Sequence, residues 1–317
     1  MNPQNQNRQR VVFLGTPIIA CNAFSDFIKS EEIEICAVVT QPDKPAGRGH
    51  KLTPPPIKVL ALENNIEVFQ PFSIRKDVEL IKKLKSFEPD FFITIAFGQI
   101  LSQEVLDIPK YGTVNLHASL LPKYRGANPI ARAIADGEKV TGVCTMLTSI
   151  GVDEGDVVLT EKIEISDNMT TLDLAKKISD IAPEILKKSL RGICSGTIIP
   201  QKQDGSKATF APKFTKEETF LDFSKPAVQL HNLVRALYPK PSANALFGNL
   251  LVKILQTEVV EQNVSTQKGE VVKIDKNGLY VATGENLLLI KTVKPEGKKE
   301  MKAYDWSCGV AKPIVFS

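Results

Sequence analysis

The chain has 317 residues, 43% of them hydrophobic and 24% charged, with a formal net charge of +4. Those values fit a globular protein long enough for two cores and exclude a disordered or fibrous chain. No apolar run approaches the roughly 20 residues of a membrane helix, so no membrane partner is expected.

The charge is uneven along the chain. Residues 1–204 hold 24 Lys and Arg against 25 Asp and Glu, a net of −1, and residues 205–317 hold 16 against 11, a net of +5. A neutral front and a basic back suggest a catalytic domain followed by a module that meets a polyanion, or a lysine-rich solvated surface. The cysteines, Cys21, Cys36, Cys144, Cys194 and Cys308, include no Cys-x-x-Cys pair. Neither structural zinc nor a disulfide framework is expected from them.

In chain order, the polar start Met1–Arg8 lacks an apolar signal region, which predicts a short disordered tail and a cytoplasmic protein. Residues 10–15 (Arg-Val-Val-Phe-Leu-Gly) read as a strand ending at Gly15-Thr16-Pro17, after which a helical pattern begins. Pro17 suits the first turn of that helix, where a missing N–H costs nothing. Gly15-Thr16-Pro17 is no Gly-x-Gly-x-x-Gly fingerprint, which argues against a nicotinamide dehydrogenase. Further strands are predicted at Ile33–Thr40, Ile66–Phe69, Phe91–Ala96 and Thr113–His117, with helical patterns at Ile57–Glu63 and Val78–Ser86. This alternation predicts an α/β fold with a doubly wound, mostly parallel sheet, whose ligands bind at the carboxyl ends of the strands. One connection stands out. Gln41–Leu52 packs Lys44, Arg48, His50 and Lys51 among two prolines and two glycines, where about 2–6 residues would suffice. It is expected to be a mobile basic finger.

Asn115 and His117 fall at a predicted strand end. Of His50, His117 and His231, only His117 has an amide two residues away at the end of an apolar run. Farther on comes an acidic patch, Asp153-Glu154-Gly155-Asp156. An amide can donate to an oxyanion, an imidazole can shuttle a proton, and a carboxylate can orient the imidazole, which together suit acyl transfer to an amine. The same acidic residues also make good turn chemistry, so the residues alone leave both roles for Asp153 open.

Val140–Thr148 and Val157–Ile165 are expected to add antiparallel strands to one sheet edge, with Asp153 in their connection. A long amphipathic helix follows, presenting Leu172, Ala175, Ile178, Ala182, Ile185 and Leu186 on one face, with Thr170 and Asp173 as its cap. Pro200–Phe214 is polar and aperiodic, as a linker would be. Beyond it lie a helix, Ala227–Leu237, and β-runs at Leu250–Gln256, Gly269–Ile274, Gly278–Ala282 and Leu287–Val293, which predict a small barrel.

Several ordered motifs carry a specific resemblance. Asn115-Leu-His117, Ser119-Leu-Leu-Pro122, Arg125-Gly126, Thr141-Gly142 and Asp153–Asp156 together resemble the 10-formyltetrahydrofolate-dependent formyltransferase family. Phe13-Leu-Gly-Thr-Pro17, Pro42–Gly49 and Val234–Pro239 narrow the match to members that act on tRNA, from about residue 10 to about residue 315. The resemblance implies a Rossmann-like formyltransferase fold with an OB-like C-terminal barrel. It implies residues 1–200 as the catalytic domain, 201–215 as the linker and 216–317 as a tRNA-binding barrel. The implied activity is formyl transfer from 10-formyltetrahydrofolate to the α-amine of methionyl-initiator tRNA by a cytoplasmic monomer, without a metal. Asn115, His117 and Asp153 fall on the family's catalytic residues. Ser119, Leu120, Leu121 and Pro122 fall on its folate-contacting turn, and Phe97, Gly98, Ile100 and Leu101 on its pterin-pocket segment. Arg48 falls on the loop arginine used at the tRNA acceptor end. Lys44 and Lys51 flank it, and Lys213, Lys298 and Lys299 are candidate phosphate contacts. Ala118 and Lys123-Tyr124 depart from the commoner Gly and Arg-Trp, which leaves the catalytic set intact. From the residues alone, the acceptor could equally be a small amine or water.

Overall fold

The computed structural model describes residues 8–46 and 51–317. Arg48 and His50 therefore lie outside the described residues. The chain divides into two compact units. The first takes the described residues up to Gly126, together with Gly142–Ile163 and Ala175–Phe210; the second takes Ala127–Thr141, Glu164–Leu174 and Ala211–Ser317.

The first unit begins with β1 (Gln9–Gly15), α1 (Cys21–Lys29), β2 (Ile33–Val39), a short pair β3 (Lys44–Ala46) and β4 (Lys51–Thr53), α2 (Pro56–Glu63) and β5 (Val68–Phe69). It continues through α3 (Val78–Ser86), β6 (Phe91–Ile95), α4 (Gln103–Leu106) and β7 (Thr113–His117). The chain then passes through α5 (Pro129–Ala135), which belongs to the second unit, before β8 (Val140–Leu147), β9 (Val157–Glu164) and the long helix α6 (Thr171–Ser195), most of whose residues belong to the first. The sheet order is β5-β2-β1-β6-β7-β8-β9, parallel from β5 to β7 and antiparallel between β7 and β8. This is the mixed, parallel-cored sheet that the alternating pattern predicts.

Alternation along β1 shows why the sheet is covered on both faces. Val12 and Leu14 pack with Leu80 and Leu84 of α3 and Val105 of α4. Phe13, between them, meets Phe24 and Phe27 of α1 edge-on at 5.1 and 6.2 Å. Each such buried side chain contributes roughly 1.5–3 kcal/mol, which explains why β1 reads as a continuous apolar run. The chain winds from β1 outward to β5, then returns past β1 to β6. Their adjacent carboxyl ends, at Gly15 and Ile95, form the switch point where such sheets take ligands.

Three sequence expectations are corrected. The Gln41–Leu52 segment is not loop throughout, because Lys44–Ala46 pairs antiparallel with Lys51–Thr53. The first helical turn after β1 is a 3₁₀ turn, Ile18–Ala20, with Pro17 as its cap residue. The buried stripe of α6 runs through Leu174, Ile178, Ala182, Ile185, Leu186 and Leu190, whereas Leu172 is exposed. Thr170 and Asp173 do cap it, exchanging backbone and side-chain bonds at 2.6–3.3 Å.

The second unit holds α7 (Ala227–Leu237), β10 (Ala243–Phe247), β11 (Leu250–Val260), β12 (Val271–Asp275), β13 (Gly278–Ala282), β14 (Leu287–Pro295), β15 (Met301–Lys302) and α8 (Ala303–Ser307). Its antiparallel order is β10-β11-β14-β13-β12, with β15 beside β14. The C-terminal residues close this sheet into a barrel. Leu246 and Ser317 exchange backbone bonds at 2.7 and 3.0 Å on one edge, while Val271 and Phe316 donate to Ile314 and Gly269 on the other. Gly269 has φ +87°, and a Cβ there would sit 2.0 Å from the Phe316 carbonyl oxygen, so only glycine permits the closure. Phe316 then stacks on Trp306 at 5.8 Å and Phe223 at 6.0 Å within the barrel core.

Candidate active site

Thr94 of β6 lies beside Asn115 of β7 in the parallel register. Its hydroxyl donates to Asn115 Oδ1 at 2.8 Å. With Oδ1 engaged, the amide's Nδ2–H groups are what it has left to offer, and an oxyanion requires a donor of that kind. Sequence reasoning missed Thr94. Its signal was one polar residue inside an otherwise wholly apolar buried strand.

His117 ends β7 and is 5% exposed. Its Nε2 lies 2.9 Å from the Tyr124 carbonyl oxygen. A carbonyl only accepts, so Nε2 carries the proton and donates it there. Nδ1 is the ring nitrogen left for proton exchange, and it lies 3.6 Å from Asp153 Oδ2. The three residues taken from the sequence thus meet in one place.

Asp153 is held from several sides. Gly126 N donates to its Oδ2 at 2.7 Å. Gln203 Nε2 donates to the carbonyls of Asp153 and Gly155 at 2.8 and 2.7 Å. Gln203 is fixed in turn through Oε1, which accepts from Arg125 Nη2 and Nε at 2.8 and 3.1 Å. Arg125 is 6% exposed and reaches Glu154 at 3.5 Å. The turn also needs Gly155, since a Cβ there would fall 1.6 Å from the Leu147 carbonyl oxygen. Ala96, Tyr124 and Asp153 have φ of +48°, +59° and +51°, left-handed values that non-glycine residues adopt at a cost and that gather at functional sites. Cys144 pairs with His117 across β7 and β8. Burial pushes its thiol up to about 12, so it stays a neutral packing group and offers no nucleophile.

The remaining candidates fall as follows. Ser119 is buried and its hydroxyl donates to the Lys123 carbonyl at 2.6 Å, closing the turn. Leu120 packs against Gly142, while Leu121 and Pro122 are partly buried. Phe97 and Leu101 belong to the core that α3 and α4 share with the sheet. Gly98 has φ +81° and Ile100 is 63% exposed. Lys44 and Lys51 are exposed on the β3–β4 pair, and Lys213, Lys298 and Lys299 are exposed in the second unit. Among the described residues no group of three His, Cys, Asp or Glu could hold a metal ion.

Comparison with known proteins adds the family. The formyl transferase family model matches residues 9–190, and the model of the formyl transferase C-terminal domain matches residues 213–311. A relative from Clostridium novyi (strain NT), called methionyl-tRNA formyltransferase, is 42% identical over 300 residues, 95% of this chain and 96% of its own. The protein of the same name from Clostridium botulinum (strain Alaska E43 / Type E3) is 46% identical over 290 residues, 91% of this chain and 93% of its own. Among solved structures, an N-formyltransferase from Helicobacter canadensis, in complex with folinic acid and dTDP-3-aminofucose, shares the fold with a TM-score of 0.64 at 18% identity, covering 93% of this chain and 100% of its own. Methionyl-tRNA formyltransferase from Clostridium thermocellum gives a TM-score of 0.55 at 17% identity, covering 80% of this chain and 94% of its own.

Proposed function

This chain belongs to the formyl transferase family, and on that premise we propose that Asn115, His117 and Asp153 form the centre where the formyl group changes hands. The enzyme transfers a formyl group from 10-formyltetrahydrofolate to the α-amine of methionyl-initiator tRNA, which supports translation initiation. Relatives with near-complete coverage are named for that activity.

The observation that carries the residue assignment is the commitment of each ring nitrogen of His117, Nε2 to the Tyr124 carbonyl and Nδ1 toward Asp153. An α-amine titrates near about 8, so a neutral fraction exists at pH 7. Its lone pair attacks the formyl carbon, and the carbonyl π electrons move onto oxygen. Asn115 Nδ2 donates to that oxyanion. The attacking nitrogen then sheds a proton to the His117–Asp153 pair, directly or through a water. The pair returns a proton to the folate nitrogen as its bond to the formyl carbon breaks. The carbonyl reforms, leaving the formylated amine and tetrahydrofolate. No covalent enzyme intermediate is required. Ser119–Pro122 and the Phe97–Leu101 segment, which includes Gly98 and Ile100, are proposed to hold the folate at the carboxyl ends of the sheet.

Residues 1–200 are proposed as the catalytic domain, 201–215 as the connection and 216–317 as the tRNA-binding barrel. The enzyme is proposed to work as a monomer in the cytoplasm; no helix of the described residues is long and apolar enough to cross a membrane. The +5 charge of residues 205–317 supports a phosphate-tracking role for Lys213, Lys298 and Lys299. Reversing Lys298 and Lys299 to Glu is expected to lower the log–log salt slope of tRNA binding by roughly 0.7–0.9 per lost phosphate contact. An unchanged slope would place the tRNA elsewhere. Arg48, with Lys44 and Lys51 beside it, is proposed to meet the acceptor end. Arg48→Ala is expected to weaken tRNA formylation by about 1–3 kcal/mol while leaving the KM for 10-formyltetrahydrofolate alone. Unaltered tRNA kinetics would remove the loop from the reaction.

A further inference from the structure

The carboxyl edge of the sheet carries a feature outside the catalytic centre. Phe72, just past β5, is 94% exposed. An aromatic ring so fully presented to water is a poor packing element and a good contact surface. Its backbone is nevertheless held firmly. Gln99 Nε2 donates to the Pro71 carbonyl at 2.9 Å, and its Oε1 accepts from Ile74 N at 2.8 Å, so one side chain clamps both ends of the turn. Two residues earlier, Gln70 Nε2 donates to the Gln41 carbonyl and to Asp43 Oδ1 at 2.8 and 2.7 Å. This ties the same turn to the base of the β3–β4 pair.

Cations lie on the same turn and on the pair tied to it. Arg75 and Lys76 follow it at once, exposed and without an ion pair or side-chain hydrogen bond among the described residues. Lys44 and Lys51, on the pair that Gln70 anchors, are also exposed and unpaired among the described residues, and Leu52 beside them is 70% exposed. An exposed aromatic ring on a tethered turn, with unneutralised cations on that turn and on the pair tied to it, suits single-stranded nucleic acid: bases stack on the ring and phosphates meet the cations.

We propose that Phe72, with Arg75 and Lys76, forms a stacking platform for the unpaired 3′ nucleotides of the tRNA as they run toward Asn115 and His117. The proposal rests on the tRNA substrate of the preceding subsection. β5 and β7 are separated by four strand spacings, about 19 Å at roughly 4.8 Å each, a distance a few unstacked nucleotides cover. The platform commits to no base identity, because every base has a face to stack.

The test compares the full-length enzyme with Phe72→Ala, Phe72→Leu, Phe72→Trp and the double variant R75Q/K76Q. For Phe72→Ala and Phe72→Leu the KM for methionyl-tRNA is expected to rise roughly 5- to 150-fold, the range for one lost base stack. Phe72→Trp should stay near wild type, and the KM for 10-formyltetrahydrofolate and the melting temperature should not move in any variant. R75Q/K76Q should lower the salt slope by about 0.7 per lost single-strand contact. A 5′-labelled ACCA oligoribonucleotide, followed by fluorescence anisotropy, should bind wild type more tightly than Phe72→Ala. That arm needs no turnover, so it reports on the platform even if wild type formylated no tRNA, which would count against the assigned activity instead. Phe72→Ala with unchanged tRNA KM and unchanged ACCA binding would overturn the proposal. So would Phe72→Leu performing as well as wild type, since aliphatic surface cannot replace stacking.

Discussion

His117→Ala is expected to lower kcat by about 10²–10⁴-fold, with Asn115→Ala and Asp153→Ala in the same range, while binding of the folate donor should change little. Each loss has its own cause. Without Asn115, the proposed oxyanion donor, whose Oδ1 is engaged by Thr94, is lost. Without His117, the nitrogen facing Asp153 is gone, and with it the proposed carrier of the proton between the amine and folate nitrogens. Without Asp153, the ring loses its charged neighbour and Gly126 N loses its acceptor. If the three act as a unit as proposed, the His117→Ala/Asp153→Ala double variant should lose far less than the product of the single losses. Single-turnover rates with saturating donor and tRNA measure this directly. A near-normal rate in His117→Ala would remove the residue from the chemistry.

Gln203→Ala is expected to lower kcat by about 10–100-fold although Gln203 touches no reacting atom. Its amide joins the Asp153 and Gly155 carbonyls to the buried Arg125. Removing it frees the turn that aims Asp153 and leaves a guanidinium without its main acceptor. A misplacement of about 1 Å at a catalytic group can cost about 10²-fold. The loss belongs in kcat, with the KM for 10-formyltetrahydrofolate little changed. Gln203→Glu should restore the acceptor for Arg125 but not the donor to the two carbonyls, so it should recover stability without full activity. If Gln203→Glu matches wild type in kcat, the side chain serves only to neutralise Arg125.

The physical signals divide sharply between what the sequence made visible and what it hid. β1, β2, β6 and β7 were legible because strands buried on both faces read as apolar runs, and Asn115 and His117 were legible because they end one. The β8–β9 pair was read as two strands joined by the acidic turn that holds Asp153, although β8 is buried along most of its length. Thr94 was hidden because a single threonine in Phe91–Ile95 looks like strand filler until its register with Asn115 is known. The partners of His117 and Asp153 are the Tyr124 carbonyl and the Gly126 N–H, backbone groups that no side-chain pattern reports. Gln203 sits in an aperiodic polar stretch that reads as a linker. Yet Gln201 pairs with Val157, and the segment as far as Phe210 belongs to the first unit. In the barrel, β10 was missed because prolines precede it and its residues mix polar with apolar. The closing tail Ile314–Ser317 is too short to show a period.

This enzyme moves formyl from 10-formyltetrahydrofolate to an amine presented on tRNA. Tetrahydrofolate release followed with three acceptors side by side, methionyl-initiator tRNA, free methionine and water, measures that choice of acceptor. Rapid formylation of the methionyl-initiator tRNA is expected, abolished or nearly so in His117→Ala, with negligible turnover on the other two acceptors. Turnover on water or free methionine at a rate matching that on the tRNA would contradict it.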